Sequence, residues 1–295
     1  MEVDGVFSGG GIKAFAFLGA LEVCEKRGIT FNRVAGTSAG ALIASLIAAG
    51  YRHEEVRQIL NAQDTGNFLD PHPFAKKLPF LKWLSLYFRL GLYRGEYIEK
   101  WIDRLLAQKG VRTFGDLPDN LFIIGTDITN GRLAVFPDDL EPYYGIKPSN
   151  FPVSKAVRIS ISIPYFFQPI KLLTKSNYLS LFIDGGTLSN FPFWIFTSEE
   201  NTKVRPTLGI KLSAKKSSLP KQKIDNAVDM LPAIIWTMIQ AHDSRYVSEE
   251  TAKDIMFIPI NDISATDFDL DAEEKRYLFE IGRLKAESFF RKWSG

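Results

Sequence analysis

The sequence predicts an α/β fold, a mainly parallel central sheet flanked by helices. Three observations carry that expectation. Short apolar runs at 3–7, 30–35, 121–127, 132–136, 179–183, 207–212 and 254–260 have the length and composition of buried strands. Stretches with helical spacing of apolar residues alternate with them, the pattern of a layered and mostly parallel sheet. Hydrophobic residues make up 45% of the 295-residue chain, enough to fill one large core. Neither an internal repeat nor a low-complexity linker interrupts the chain. Residues 1–295 are therefore read as a single domain, with an apolar, basic insertion near 71–95 and a helical C-terminal part near 223–295.

The first strand runs into Ser8, Gly9, Gly10, Gly11, Ile12 and Lys13. Ile12, Phe15, Leu18 and Leu21 then recur with helical spacing, and Gly28 is a natural stop. Three glycines let the backbone approach a ligand without intervening Cβ atoms. The unpaired amides that open the helix favour negative charge, so the run reads as an anion cradle. A dinucleotide site fits poorly, because the second strand ends near Ala35 without an acidic residue for a ribose. A phosphate-binding loop lacks its Gly-Lys-Ser/Thr. A tight strand-to-helix turn with no ligand uses the same residues, and that reading stays open here.

The second strand, 30–35, leads into Gly36-Thr37-Ser38-Ala39-Gly40 and a helix of small residues ending at Gly50. Gly-x-Ser-x-Gly between a strand and a helix is the nucleophile-elbow pattern, whose glycines tolerate the crowding that pushes the serine oxygen into the open. A serine opening a helix is also an ordinary N-cap. The glycine cradle upstream makes the pair more specific than either motif alone.

Ser38 needs a base, and the chain has three histidines, His53, His72 and His242. The order Ser38, Asp184, His242 matches that of an α/β-hydrolase triad. Those enzymes place the nucleophile after several sheet strands, whereas Ser38 follows the second. His242 lies in a helical stretch from about 224 to 252, His53 opens a polar helix, and His72 lies in a Pro-flanked loop. All three read as surface or packing residues. Asp184, followed by Gly185 and Gly186, ends the apolar strand 179–183, where open α/β sheets build their sites. An aspartate in water, with a pKa of about 3.9, is a feeble base. Desolvation raises that value, and donors at an oxyanion ease the formation of alkoxide-like charge. An ordinary Asp-Gly turn between strands has the same residues.

Taken together, these residues resemble the patatin-like phospholipases. Residues 9–13 resemble the family's oxyanion block, 36–40 its nucleophile elbow and 184–186 its dyad motif. Thr126-Asp127 with Gly131-Arg132-Leu133 is similar to its internal Thr-Asp segment. Ser160 to Pro164, with Phe167 and Pro169, is similar to the helix-to-loop segment before the dyad strand, and Asn190 and Pro192 match its Asn-x-Pro. The resemblance runs from about 3 to 213, with Ala14 standing where a glycine is common. It implies a three-layer α/β/α fold and a serine–aspartate lipid acyl hydrolase that uses no cofactor or metal. The implied substrates are phospholipids or other lipid esters. Ser38 would attack the ester carbonyl and Asp184 would accept its proton. Gly9, Gly10, Gly11, Ile12 and Lys13 would form the oxyanion hole, with Gly36, Gly40, Gly185 and Gly186 supporting the motifs. Lys13 either adds positive field near a phosphate or reaches to solvent. An acyltransferase passing the same acyl-enzyme to an alcohol, or a lipid-binding chain with a decayed site, would keep these residues.

Composition adds exclusions. A net charge of +2 does not suggest nucleic-acid binding. The single cysteine, Cys24, is expected as a buried packing thiol on the first helix. The start MEVDGVF lacks a basic-plus-apolar signal, and no apolar run suffices to span a bilayer, so a cytoplasmic protein is expected. Leaderless secretion would leave no such trace. The segment 71–95 carries five basic and no acidic residues among Phe80, Trp83, Tyr87, Phe88 and several leucines. That composition suits peripheral contact with a membrane surface. A core-covering helix pair whose lysines and arginines reach water has it too. Either way the insertion is expected near the acyl-chain pocket. The sequence sets no oligomeric state.

Overall fold

The computed structural model describes residues 1–71, 86–117, 119–197, 205–212, 224–225, 230, 233, 237, 251–260 and 262–293. In chain order the strands are β1 (Glu2–Phe7), β2 (Thr30–Thr37), β3 (Gly91–Tyr93), β4 (Leu121–Asp127), β5 (Arg132–Phe136), β6 (Tyr165–Phe167), β7 (Ile170–Leu173), β8 (Leu179–Asp184), β9 (Thr207–Lys211) and β10 (Ile255–Phe257). The helices are α1 (Phe15–Lys26), α2 (Ala39–Ala48), α3 (His53–Ala62), α4 (Glu96–Gln108), α5 (Leu140–Tyr144), α6 (Val153–Ser160) and α7 (Ala272–Phe290).

The main sheet has eight strands, and β10, β9, β1, β2 and β4 form its parallel part in that order. The remaining strands, β5, β8 and β7, run antiparallel to their neighbours. β3 and β6 pair in a separate two-stranded sheet. The sheet is thus mainly parallel, as the sequence predicts, with antiparallel strands added at one side. One departure from the sequence reading is the presence of β3, β6 and β7, which at three or four residues are too short to display an alternation.

The register of β4 positions everything that follows. One of its edges pairs with β5 from Ile123 to Asp127. Its other edge is divided. β2 pairs along it up to Thr37 opposite Ile124, and β8 pairs along it from Phe182 opposite Asp127 to Asp184 opposite Gly125. A strand has two edges only, so β2 and β8 share this one and run toward each other. They stop at neighbouring β4 residues. Asp184 therefore does not leave the carboxyl edge of a parallel strand, as the sequence suggests; an antiparallel strand carries it back down into the sheet.

Both faces of the sheet are covered. Successive residues alternate between two apolar clusters, with Phe7, Val34, Ile123 and Met256 in the larger one and Val6, Ala35, Ile124 and Ile255 in the smaller. That is the period of two expected of a strand buried on both sides. α1, α2, α6 and α7 pack in the larger cluster, and the smaller one is closed by Phe191, Phe193, Ile195 and Phe196. Cys24 is buried in α1, where desolvation pushes its thiol up to about 12. The stretch 224–252, with His242, and residues 72–85 of the insertion, with His72, lie largely outside the described residues. No helix among the described residues is long and apolar enough to cross a membrane.

α7 extends the fold beyond the last strands and packs on α1 at backbone distance. A Cβ at Gly282 would collide with the Ala16 carbonyl oxygen, and one at Gly19 with the Phe279 carbonyl oxygen. Because the obstacle in each case is backbone, a side chain there forces the helices apart. Gly282→Val should therefore lower the melting temperature by several degrees, an overpacking loss of about 1–3 kcal/mol. An unchanged thermal melt would show that the helix pair is looser than this geometry.

Candidate active site

β2 ends in a sharp turn at Ser38, whose φ of 53° is the left-handed region that side-chain-bearing residues seldom occupy. α2 begins at the next residue. A Cβ at Gly40 would strike the carbonyl oxygen of Phe7, so this glycine lets α2 lie directly on the end of β1. The elbow and the glycine cradle are thereby held together. A Cβ at Gly9 would stand 3.3 Å from the Cβ of Ser38 and would strike the Asn190 side chain.

Ser38 Oγ donates to Asp184 Oδ2 at 2.8 Å. Both residues are nearly closed off from solvent, at 6% and 5% exposure. Gly186 N donates to Asp184 Oδ1 at 2.6 Å. Burial pushes the Asp184 carboxyl up to about 7, against the opposing hydrogen bonds from Ser38 and Gly186. The carboxyl is therefore poised to exchange a proton near neutral pH, as an acid–base group requires. His53 is engaged elsewhere, with Nδ1 2.6 Å from Glu25 Oε2. Among the described residues, Asp184 is the side-chain partner of the Ser38 hydroxyl.

A second tier of contacts fixes both residues. Ser38 N donates to Ser160 Oγ at 2.8 Å, Asp184 N donates to Ser162 O at 2.8 Å, and Thr126 Oγ1 donates to Asp184 O at 3.0 Å. Ser160 reaches the elbow because α6 presses closely on β4, where a Cβ at Gly125 would stand 2.9 Å from Ile159 Cγ2. Behind this segment lies Arg158, fully buried, with its guanidinium donating to Ser162 Oγ at 2.6 Å, to Gln168 O at 2.8 Å and to Arg94 O. Desolvation lowers its pKa to about 10, opposed by the charges of Glu99, Asp70 and Glu96. Sequence reasoning assigned no role to Ser160, Ser162 or Arg158; their block carried only a family likeness, with no local pattern pointing to the dyad.

The cradle is more selective than the sequence suggests. Of its five candidate residues, Gly9 N donates to Asn190 O, Ile12 N to Ala265 O and Lys13 N to Gly10 O. The Lys13 ammonium donates to Ile260 O at 2.9 Å, and burial lowers its pKa while Asp262 opposes that shift. The amides of Gly10 and Gly11 have no partner among the described residues. Gly11, with a φ of 57°, faces the same pocket as Ser38 and Ala39. That pocket is lined by Leu42, Leu60, Phe68, Ile98, Ile161 and other apolar groups. Its lining suits an acyl chain. Free amides near a serine that is bonded to a carboxylate and lines a greasy pocket can hold an oxyanion while the serine attacks an ester. No group of three or more His, Cys, Asp or Glu among the described residues is placed to hold a metal ion.

Comparison with known proteins shows the family and the fold. A family model described as patatin-like phospholipase matches residues 5–197. The uncharacterized protein YqhO of Bacillus subtilis is 46% identical over 295 residues, covering the whole of both chains. Triacylglycerol lipase ptl3 of Schizosaccharomyces pombe is 26% identical over 202 residues, 66% of this chain and 40% of its own length. The crystal structure of VipD from Legionella pneumophila superposes with a TM-score of 0.60 at 17% identity, covering 99% of this chain and 67% of that one.

The raised Asp184 pKa has a consequence for stability. Between about pH 4 and pH 7 the folded state holds a proton that the unfolded chain, with an ordinary aspartate, releases. Stability contributed by this group therefore falls as pH rises through that window, by on the order of 4 kcal/mol at most. Asp184→Asn removes the buried charge, so it should melt several degrees above the wild type at pH 8 and close to it at pH 4.5. A difference between the two proteins that does not change with pH would contradict the assignment.

Proposed function

Because this chain belongs to the patatin-like phospholipase family, we propose that it is a lipid acyl hydrolase using a Ser38–Asp184 dyad. Its substrates are phospholipids or other lipid esters, and its intermediate is an acyl-enzyme. The observation that carries this reading is the 2.8 Å hydrogen bond to a buried Asp184 carboxylate from Ser38 Oγ, whose residue lines an apolar pocket.

In this reading Ser38 Oγ attacks the ester carbonyl carbon while its proton passes to Asp184 Oδ2. The carbonyl oxygen becomes an oxyanion held by the amides of Gly10 and Gly11, with the Ala39 amide at the start of α2 beside them. Each such donor is typically worth roughly 3–4 kcal/mol. Collapse of the tetrahedral intermediate breaks the bond to the alcohol, and protonated Asp184 returns the proton to the leaving oxygen. Water then attacks the acyl-enzyme as Asp184 takes its proton, the acyl–Oγ bond breaks, Asp184 returns the proton to Ser38 Oγ, and the fatty acid leaves. A base with a pKa near neutrality suits both transfers better than an aspartate at its ordinary value.

The membrane surface is the natural place to meet such substrates. Tyr87 and Phe88 are exposed by 77% and 71%, with Arg89 next to them. Exposed aromatics beside a cation support an interfacial role for this end of the 71–95 segment.

Ser38→Ala and Asp184→Asn should each lower kcat/KM on p-nitrophenyl acyl esters by about 10³-fold or more, with fatty acid as the product released from phospholipid vesicles by the wild type. Retained activity in either variant, or transfer of the acyl group to an alcohol in place of water, would overturn the reading. Tyr87→Asp with Phe88→Asp should weaken vesicle co-sedimentation several-fold while leaving turnover of a soluble short-chain ester intact. Equal losses on both substrates would remove the interfacial role.

A further inference from the structure

The pocket has a wall that lies outside the matched family region. Residues 258–260 and 262–270 follow β10, beyond the 5–197 match, and run past the glycine cradle. Three hydrogen bonds tie them to it and to Thr65, another residue of the pocket lining: Lys13 Nζ to Ile260 O, Ile12 N to Ala265 O, and Thr65 Oγ1 to Phe268 O. A Cβ at Gly11 would collide with the Ala265 carbonyl oxygen, so the segment lies on the cradle at backbone contact. Ile258, Ile260, Ile263 and Leu270 are buried as anchors along it.

The side chain that this segment places against the pocket is Phe268. Its ring stacks on Phe166 at 5.5 Å between centroids and 17° between planes. It meets Phe68 edge-on at 6.4 Å and Phe167 edge-on at 6.2 Å. Phe68 in turn packs on Trp101 at 5.1 Å. Phe268 thus joins two walls, one from the loop after α3 and one from β6. Phe268 lines the same pocket as Ser38, together with Leu42, Leu60, Phe68 and Ile98.

We propose that Phe268 sets the length of the acyl chain this protein accepts, with residues 262–270 as the device that positions it. The proposal rests on the acyl-hydrolase reading for its catalytic readout, and on the pocket alone for its binding readout. A ring clamped on three sides cannot swing away from an incoming chain without breaking its aromatic contacts. Chain carbons that reach it therefore stop there, and a smaller side chain opens space for more. Each further methylene buried multiplies affinity about fourfold.

The test measures kcat/KM for p-nitrophenyl esters from C4 to C16 in wild type, Phe268→Ala, Phe268→Leu and Phe268→Trp. In parallel, calorimetry measures binding of C6 to C16 fatty acids to Ser38→Ala with and without Phe268→Ala. Phe268→Ala should move both optima to longer chains and raise the C12-to-C6 ratio about tenfold or more, Phe268→Leu should do so less, and Phe268→Trp should move them to shorter chains. Variants that scale every chain length by one factor would reduce Phe268 to a packing residue and overturn the proposal. A shifted binding optimum in a protein whose wild type hydrolyses no ester would sustain it while the acyl-hydrolase reading failed.

Discussion

The site depends on one edge of β4 being shared by two strands that run toward each other. β5 fills the opposite edge across Ile123 to Asp127, so β2 and β8 must divide the remaining one. They stop opposite Ile124 and Gly125, and the residues at their tips are Ser38 and Asp184. Residues 146 positions apart in sequence thus meet through backbone register alone. Neither is carried by a long loop, so little conformational freedom remains to be lost when the pair forms. A one-residue slip of β8 along β4 would turn Asp184 to the other face of the sheet and separate it from Ser38.

Close backbone contacts then hold the surrounding parts in place. Gly40 sets α2 on β1, Gly185 lies against the Ile124 carbonyl, and Gly125 admits Ile159 of α6. These contacts draw the cradle, the elbow, Asp184 and the Ser160–Ser162 support into one small volume in which Ser38 and Asp184 are nearly closed off from solvent. Exclusion has two effects. It raises the Asp184 pKa into the neutral range, and it strengthens any interaction between the free cradle amides and developing negative charge. Arg158 belongs to the same economy of space. A buried cation without a carboxylate in contact is unfavourable by itself; here its two terminal nitrogens donate to three oxygens, joining α6 to the ends of β3 and β6, while Nε is left without a partner.

Much of this was legible in the sequence, and the reason differs from part to part. The cradle and elbow are local strand–turn–helix devices whose requirements are met within a few residues, so Gly9 to Lys13 and Gly36 to Gly40 announce themselves. Asp184 was legible as a residue, but the direction of its strand was not, because that depends on which edge of β4 is free. The cradle's candidates narrowed from five to the unpaired amides of Gly10 and Gly11, since partners for Gly9 and Ile12 come from Asn190 and Ala265, far along the chain. β3, β6 and β7 are too short to carry a pattern. Phe268 carries no signal at all, for its role arises only where a C-terminal segment returns to the cradle.

The central claim is that Ser38 is the nucleophile and that buried Asp184 is its base. Its most direct measurement is the rate of inactivation by a fluorophosphonate as a function of pH, with the modified residue mapped by peptide mass spectrometry. The account predicts a single adduct on Ser38 and a rate that rises with pH through a midpoint near 7, where Asp184 loses its proton. An adduct on another residue, or a rate on Ser38 that does not change between pH 5 and pH 9, would contradict it.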